Sequence, residues 1–157
     1  MTPPPGLRFR LLPLDTLLAH EQVDPAKVDE LLAELAASGT FADPIWVARG
    51  SHVILNGHHR VAALKRLGAR RIPAWLLDYD DPSITVDRWS PGPPIPKAEV
   101  VRRARAGQLF PPKTTRHRLA HEPRPRRTPL ARLFPAPRAQ RASRRSRSAG
   151  ADSGGAE

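Results

Sequence analysis

Apolar residues along the chain fall into short runs whose spacing switches between two and 3.6. Leu7 to Leu12 alternates as a strand does, and Pro13 ends it in a turn that carries Leu14, Leu17 and Leu18. Asp24-Pro25 supplies an N-cap followed by proline at the first helical position. Val28, Leu31, Leu32 and Leu35 then recur on one helical face until Gly39 stops the helix. Ile45 to Ala48 and His52 to Leu55 are β-rich runs joined by Arg49-Gly50-Ser51, which predicts a hairpin. A second helix is expected to start near Gly57 and run to Leu67, with Val61, Leu64 and Leu67 inward and Gly68 as its cap. Ile72 to Leu77 predicts a strand at a sheet edge, or a proline near a strand's start, because Pro73 has no N–H to give a ladder. Val86 to Trp89 predicts one more strand, and Lys97 to Ala106 a short basic helix ending at Gly107. The sum is an α+β fold: a small mixed-sheet domain over residues 6–90, a proline-rich link with a short helix and an arm over 91–134, and a disordered tail over 135–157.

Composition narrows the chemistry. A chain of 157 residues with 39% hydrophobic positions supports one modest core rather than two. The absence of cysteine removes disulfide scaffolds, thiolate zinc sites and sulfur nucleophiles, and leaves the redox compartment open. No stretch approaches the roughly 18 apolar residues of a membrane span, and Met1 to Arg10 is proline-rich without a signal-peptide core. The expectation is a soluble, cytoplasmic protein without a membrane partner. The net charge of +11 is uneven: residues 1–90 carry a net −1 and residues 91–157 a net +12. From Arg138 to Glu157 there is no large apolar residue to offset the entropy of ordering, hence the disordered tail. Such a tail can touch nucleic acid by counterion release, or simply be solvated; the sequence leaves both open.

Two segments carry chemistry. Asn56-Gly57-His58-His59-Arg60 stands where a strand passes into the first turn of a helix, where free backbone N–H groups and the helix dipole favour an anion, a phosphate above all. Gly57 lets the backbone approach closely, and Arg60 can hold two phosphate oxygens. The alternative, that His58 and His59 cap the helix or pack in the core, stays open on the sequence. Neighbouring helical residues point about 100° apart, so the histidine pair does not make a metal site. The second segment, Lys113-Thr114-Thr115-Arg116-His117, follows Pro111-Pro112 and gathers an ammonium, two hydroxyls, a guanidinium and an imidazole, all able to donate to phosphate oxygens. It can equally be read as the start of the arginine-rich arm.

Leu55 to Gly68 resembles the nucleotide-binding signature of the ParB/sulfiredoxin fold, with its Gly-x-x-Arg-x-x-Ala pattern. Sulfiredoxin itself needs a catalytic cysteine and is excluded. Within that superfamily the chain is most similar to the free L-serine kinases, which make O-phosphoserine with ADP or ATP. The match rests on His20-Glu21, Trp89 and Pro112 to His117, and extends roughly from Leu7 to Leu133.

The resemblance implies ATP or ADP with Mg²⁺, and L-serine as the small-molecule partner. It implies Glu21 as the base for the serine hydroxyl, with Lys113 at the transferring phosphoryl group. Asn56, Gly57, His58, His59 and Arg60 would cradle the nucleotide. Trp89, Thr114, Thr115, Arg116 and His117 would line the serine and phosphoryl site. Two departures stand out. Asn56 occupies a position where the family usually has Asp, and only 23 residues, Ser90 to Pro112, separate Trp89 from the lysine motif where archaeal kinases insert a further domain. Two other readings compete: a ParB-like nucleotide-binding regulator that contacts DNA through its basic arm, and a non-catalytic relative. The kinase reading requires Arg60 and His117 to come to one site.

Overall fold

A computed structural model of the chain describes residues 7–135. Apart from Pro135, the tail expected over 135–157 lies outside the described residues. The elements are β1 (Arg8–Pro13), a 3-10 turn (Leu14–Thr16), α1 (Pro25–Ser38), β2 (Thr40–Phe41), β3 (Ile45–Ala48), β4 (Ile54–Asn56) and α2 (His58–Leu67). They continue with β5 (Arg71–Leu77), β6 (Ile84–Arg88), α3 (Lys97–Ala106), β7 (Thr115–Leu119), β8 (Thr128–Pro129) and a 3-10 turn at Leu130–Leu133. The central sheet has the order β1-β5-β3-β4, with β3 and β5 parallel and the other pairs antiparallel. Among the described residues no helix is long and apolar enough to cross a membrane.

The apolar runs are continuous because the inner strands are buried on both faces. On β3, Ile45 and Val47 face the layer that holds α1 and α2, while Trp46 and Ala48 face the layer that holds α3 and Phe110. Ile54 divides from Val53 and Leu55 in the same way. The single core expected from composition is therefore two apolar layers separated by one sheet. α1 begins as expected, with the Asp24 side chain accepting from the Ala26 N–H at 3.0 Å, and ends at Gly39.

Two expectations are corrected. β5 is an interior strand, paired with β1 and β3, and the edge placement does not hold. Pro73 is accommodated because it lies opposite Leu11, one residue before the parallel ladder with β3 opens at Ala74. Leu67, expected inward, is 37% exposed, and the last turn of α2 turns away from the sheet. Val61, Ala63 and Leu64 carry the buried face instead.

The composition changes at Ser90, yet the chain beyond it packs back onto what precedes it. β7 pairs with β6 through five residue pairs from Ile84–Leu119 to Arg88–Thr115. β8 pairs with β2, and Leu133 is fully buried in the layer beside α1 and α2. Leu133→Ala is expected to lower the unfolding free energy by about 2–4 kcal/mol. Leu67→Ala, on an exposed helix end, is expected to cost less than about 1 kcal/mol. Urea denaturation of both variants checks the pair.

Candidate active site

Residues 17–22 form an extended segment held from both sides. The Leu18 N–H donates to the His52 carbonyl at 2.9 Å, and the Ile54 N–H donates to the Leu18 carbonyl at 2.9 Å. Further along, the Gln22 N–H donates to the Phe110 carbonyl and the Phe110 N–H to the His20 carbonyl, both at 2.8 Å. This staple sets Glu21 beside the start of β7. Glu21 is 8% exposed, not the surface glutamate that is commonest, and a carboxylate so far from water needs donors. Thr115 provides them, its backbone N–H at 2.8 Å and its hydroxyl both donating to Oε2. His20, fully buried, places Nε2 2.8 Å from the same hydroxyl.

α2 starts at Gly57, whose φ of 116° lies in the left-handed region. A Cβ there would stand 2.3 Å from Ile45 Cγ2, so the glycine is needed for close approach to β3. No side chain caps the helix, and the first N–H of its ladder is that of Val61, donating to the Gly57 carbonyl. The N–H groups of His58, His59 and Arg60 have no partner among the described residues, which makes this end an anion-favouring one. The two histidines neither cap the helix nor offer positive charge. His58 Nε2 accepts the His20 N–H at 3.1 Å and His59 Nε2 accepts the Asp24 N–H at 2.9 Å, so they tie residues 20–24 to α2. Arg60 is likewise engaged: Nη1 donates to the carbonyls of Asp43 and Pro44, and Nη2 to Asn56 Oδ1 at 3.2 Å. Three of its five N–H groups are thus taken, and they clamp the turn before β3.

The Lys113–His117 run divides by strand alternation. Thr115 and His117 face inward and are buried, and the Tyr79 hydroxyl lies 2.7 Å from His117 Nε2. Arg116 faces out, gripping Asp87 through two bonds of 2.9 and 3.0 Å and stacking on the Trp89 ring at 4.8 Å. The Thr114 hydroxyl donates to the Pro111 carbonyl at 2.7 Å. Lys113 is exposed, adopts a φ of 55° that favours glycine, and has no ion-pair partner among the described residues.

Glu21, Asn56, Gly57, His58, His59, Arg60, Trp89, Lys113, Thr115, Arg116 and His117 all line one cleft of about 700 Å³, so Arg60 and His117 do meet. Thr114 is not in its wall. Trp89, 57% exposed, stands at the rim. The cleft also takes Lys27 and Leu31 of α1, Asp43, Trp46, Arg118 and Glu122, which the sequence reading missed. Asp43-Pro44 ahead of a strand was the one local signal for any of them.

Three histidine rings cluster at the cleft wall, His20 behind it and His58 and His117 in it, with His20 4.6 Å from His58 and 5.7 Å from His117 between centroids. Burial lowers His20 to about 4 and His117 to about 3, the latter helped by His20, and holds His58 well below its ordinary value. All three are therefore neutral near pH 7. Burial also raises the Tyr79 hydroxyl above its ordinary range.

No protein-family model matches the chain. A free serine kinase in complex with ADP, a glutamate-to-alanine variant, superposes with a TM-score of 0.72 at 20% identity, covering 82% of this chain and 94% of that one. The fold is that of the free serine kinases. Among curated proteins, the ATP-dependent L-serine kinase of Staphylothermus marinus is 33% identical over 85 residues, 52% of this chain and 34% of that protein. The ADP-dependent L-serine kinase SerK of Thermococcus kodakarensis is 32% identical over 99 residues, 60% of this chain and 41% of that protein. A ParB-like protein of Sulfolobus acidocaldarius is 39% identical over 74 residues, 47% and 37% of the two chains. The chain thus spans well under half the length of these curated relatives. The mixed-sheet α+β fold expected from the sequence is borne out by the free serine kinase superposition.

Two outcomes follow from this geometry. Gly57→Ala forces the overlap with Ile45 as well as a strained φ, and is expected to cost at least about 2 kcal/mol in a denaturant titration. The buried histidines set a pH dependence. Above pH 6.5 they are neutral in the folded and unfolded chain alike. Below it the unfolded chain binds protons that the folded one refuses, so stability falls as pH drops from 6.5 toward 4. Urea midpoints are expected to be flat above neutrality and to fall steeply between pH 6.5 and 4.

Proposed function

We propose that the chain is a nucleotide-dependent phosphotransferase acting on the hydroxyl of free L-serine. The observation that carries this reading is the meeting, in one cleft, of a buried carboxylate, a helix start with unpartnered N–H groups and a lysine without an ion-pair partner. Phosphoryl transfer needs little more than positioning, charge neutralisation and a base, and these are those parts. The N–H groups of His58 and His59 take the nucleotide phosphates at the α2 dipole, and Lys113 neutralises the phosphoryl group in transit. Trp89 and Arg116 flank the serine. In the step itself the serine Oγ–P bond forms as the bond from that phosphorus to the bridging nucleotide oxygen breaks. The serine proton passes to Glu21, and the nucleotide departs one phosphate shorter.

The reading includes Mg²⁺. Such a cation would be held by one carboxylate and the nucleotide's own phosphates. In this reading Asp43, which lines the cleft, would be that carboxylate. The ion supplies charge neutralisation on the phosphates. In this reading residues 6–90 carry the nucleotide, residues 91–134 close over it, and a nucleotide co-substrate suits a cytoplasmic protein. The ParB-like relative supports a second reading, a nucleotide-binding regulator whose basic arm contacts DNA.

Phosphorus NMR with serine, Mg²⁺ and either ATP or ADP tests the proposal. Phosphoserine is expected with at least one donor. Glu21→Ala is expected to lower kcat by about 10²–10⁴-fold and Lys113→Ala by a comparable factor, with nucleotide affinity largely retained. No phosphoserine from either nucleotide, together with salt-sensitive DNA binding, favours the regulator.

A further inference from the structure

Two polar contacts in the cleft wall concern a hydroxyl that the kinase reading assigned to substrate. Thr115 is 7% exposed, and its Oγ1 sits between Glu21 Oε2 and His20 Nε2. A threonine hydroxyl has one proton. When Glu21 is ionised it only accepts, so that proton goes to Oε2, and Oγ1 must then accept from His20. The ring nitrogen 2.8 Å away therefore carries a hydrogen. We propose that His20 is a positioning residue for Glu21: its Nε2–H holds the Thr115 hydroxyl so that Oε2 is saturated by two Thr115 donors and Oε1 alone accepts the substrate proton. The inference rests on the kinase reading for the word substrate, but the hydrogen-bond order stands apart from it.

Two further observations agree. His20 is fully buried and, with its pKa near 4, uncharged at neutral pH, so it has a single ring proton to place. The neighbouring titratable rings, His58 and His117, are neutral too and have their Nε2 atoms committed elsewhere, to the His20 N–H and the Tyr79 hydroxyl. His20 Nδ1 is buried without a hydrogen-bond partner of good geometry, although it faces the Ile54 carbonyl. That carbonyl defines the competing arrangement. With the proton on Nδ1, Nε2 would accept from Thr115, and the short Oγ1–Oε2 contact would then require a protonated Glu21, which is no base.

The experiment has two arms on the full chain. Nitrogen-15 NMR of the imidazole rings at pH 7, with the His20 signals assigned by their loss in His20→Gln, is expected to show the Nε2–H tautomer. The Nδ1–H tautomer overturns the proposal, whether or not the protein makes phosphoserine. In turnover assays Thr115→Val and His20→Leu are expected to lose about 10²-fold in kcat, with the KM for serine changed less than about threefold, as for a misplaced base. His20→Gln restores a donor at the Nε2 position, and Thr115→Ser keeps the hydroxyl; each is expected to recover most of that loss. Thermal unfolding of all four variants separates positioning from collapse of the fold. Equal kcat in Thr115→Val and Thr115→Ser contradicts the inference. A wild-type chain that makes no phosphoserine contradicts the kinase reading instead, and the tautomer still decides the hydrogen-bond order.

Discussion

Everything about this site depends on one closure, the hydrogen bonding of residues 20–22 to residues 110–115. Two backbone bonds join His20 and Gln22 to Phe110, and two Thr115 donors meet the Glu21 carboxylate across 94 positions of sequence. The carboxylate is almost out of water, so it is tolerable only while those donors are present. Those two donors and the two backbone bonds together bring the second half of the chain over the start of α2. Burying the acid and assembling the cleft are one event.

The cleft divides its charges between holding and binding. Arg60 spends three N–H groups on the turn at Asp43-Pro44 and on Asn56, and Arg116 is forked onto Asp87. The histidines, desolvated, add no positive charge at neutral pH. Attraction for an anion then falls to backbone N–H groups and to Lys113, groups that face the cleft without a competing partner among the described residues. Such donors need no rearrangement to receive a phosphate, which is the condition under which fixed dipoles act most strongly on a transferring group.

Much of this was legible in the sequence because local chemistry and tertiary role coincided. Asp24-Pro25 and Gly39 bracket α1, and Gly57 marks a point where helix and sheet approach too closely for a side chain. What escaped notice did so for physical reasons. β7 buries Thr115 and His117, half-buries Arg116 and exposes Arg118, so a strand with two polar faces showed no apolar alternation. Those buried polar groups read as loose phosphate donors because their partners, His20, Glu21 and Tyr79, lie 38 to 95 residues away. Leu133 sits in an arginine- and proline-rich stretch that reads as solvated, yet it completes the layer beside α1 and α2. Pro73 argued against an interior strand and was outweighed by pairing that begins one residue later.

The central claim is that the α2 start and the Lys113–His117 run bind one ligand together. Amide NMR of the full chain, titrated with ADP and O-phosphoserine, reads that directly. Resonances of His58 and His59 and of Lys113 to His117 are expected to move in one saturable transition with a common affinity. Shifts confined to either segment alone, or separate affinities for the two, would contradict the account.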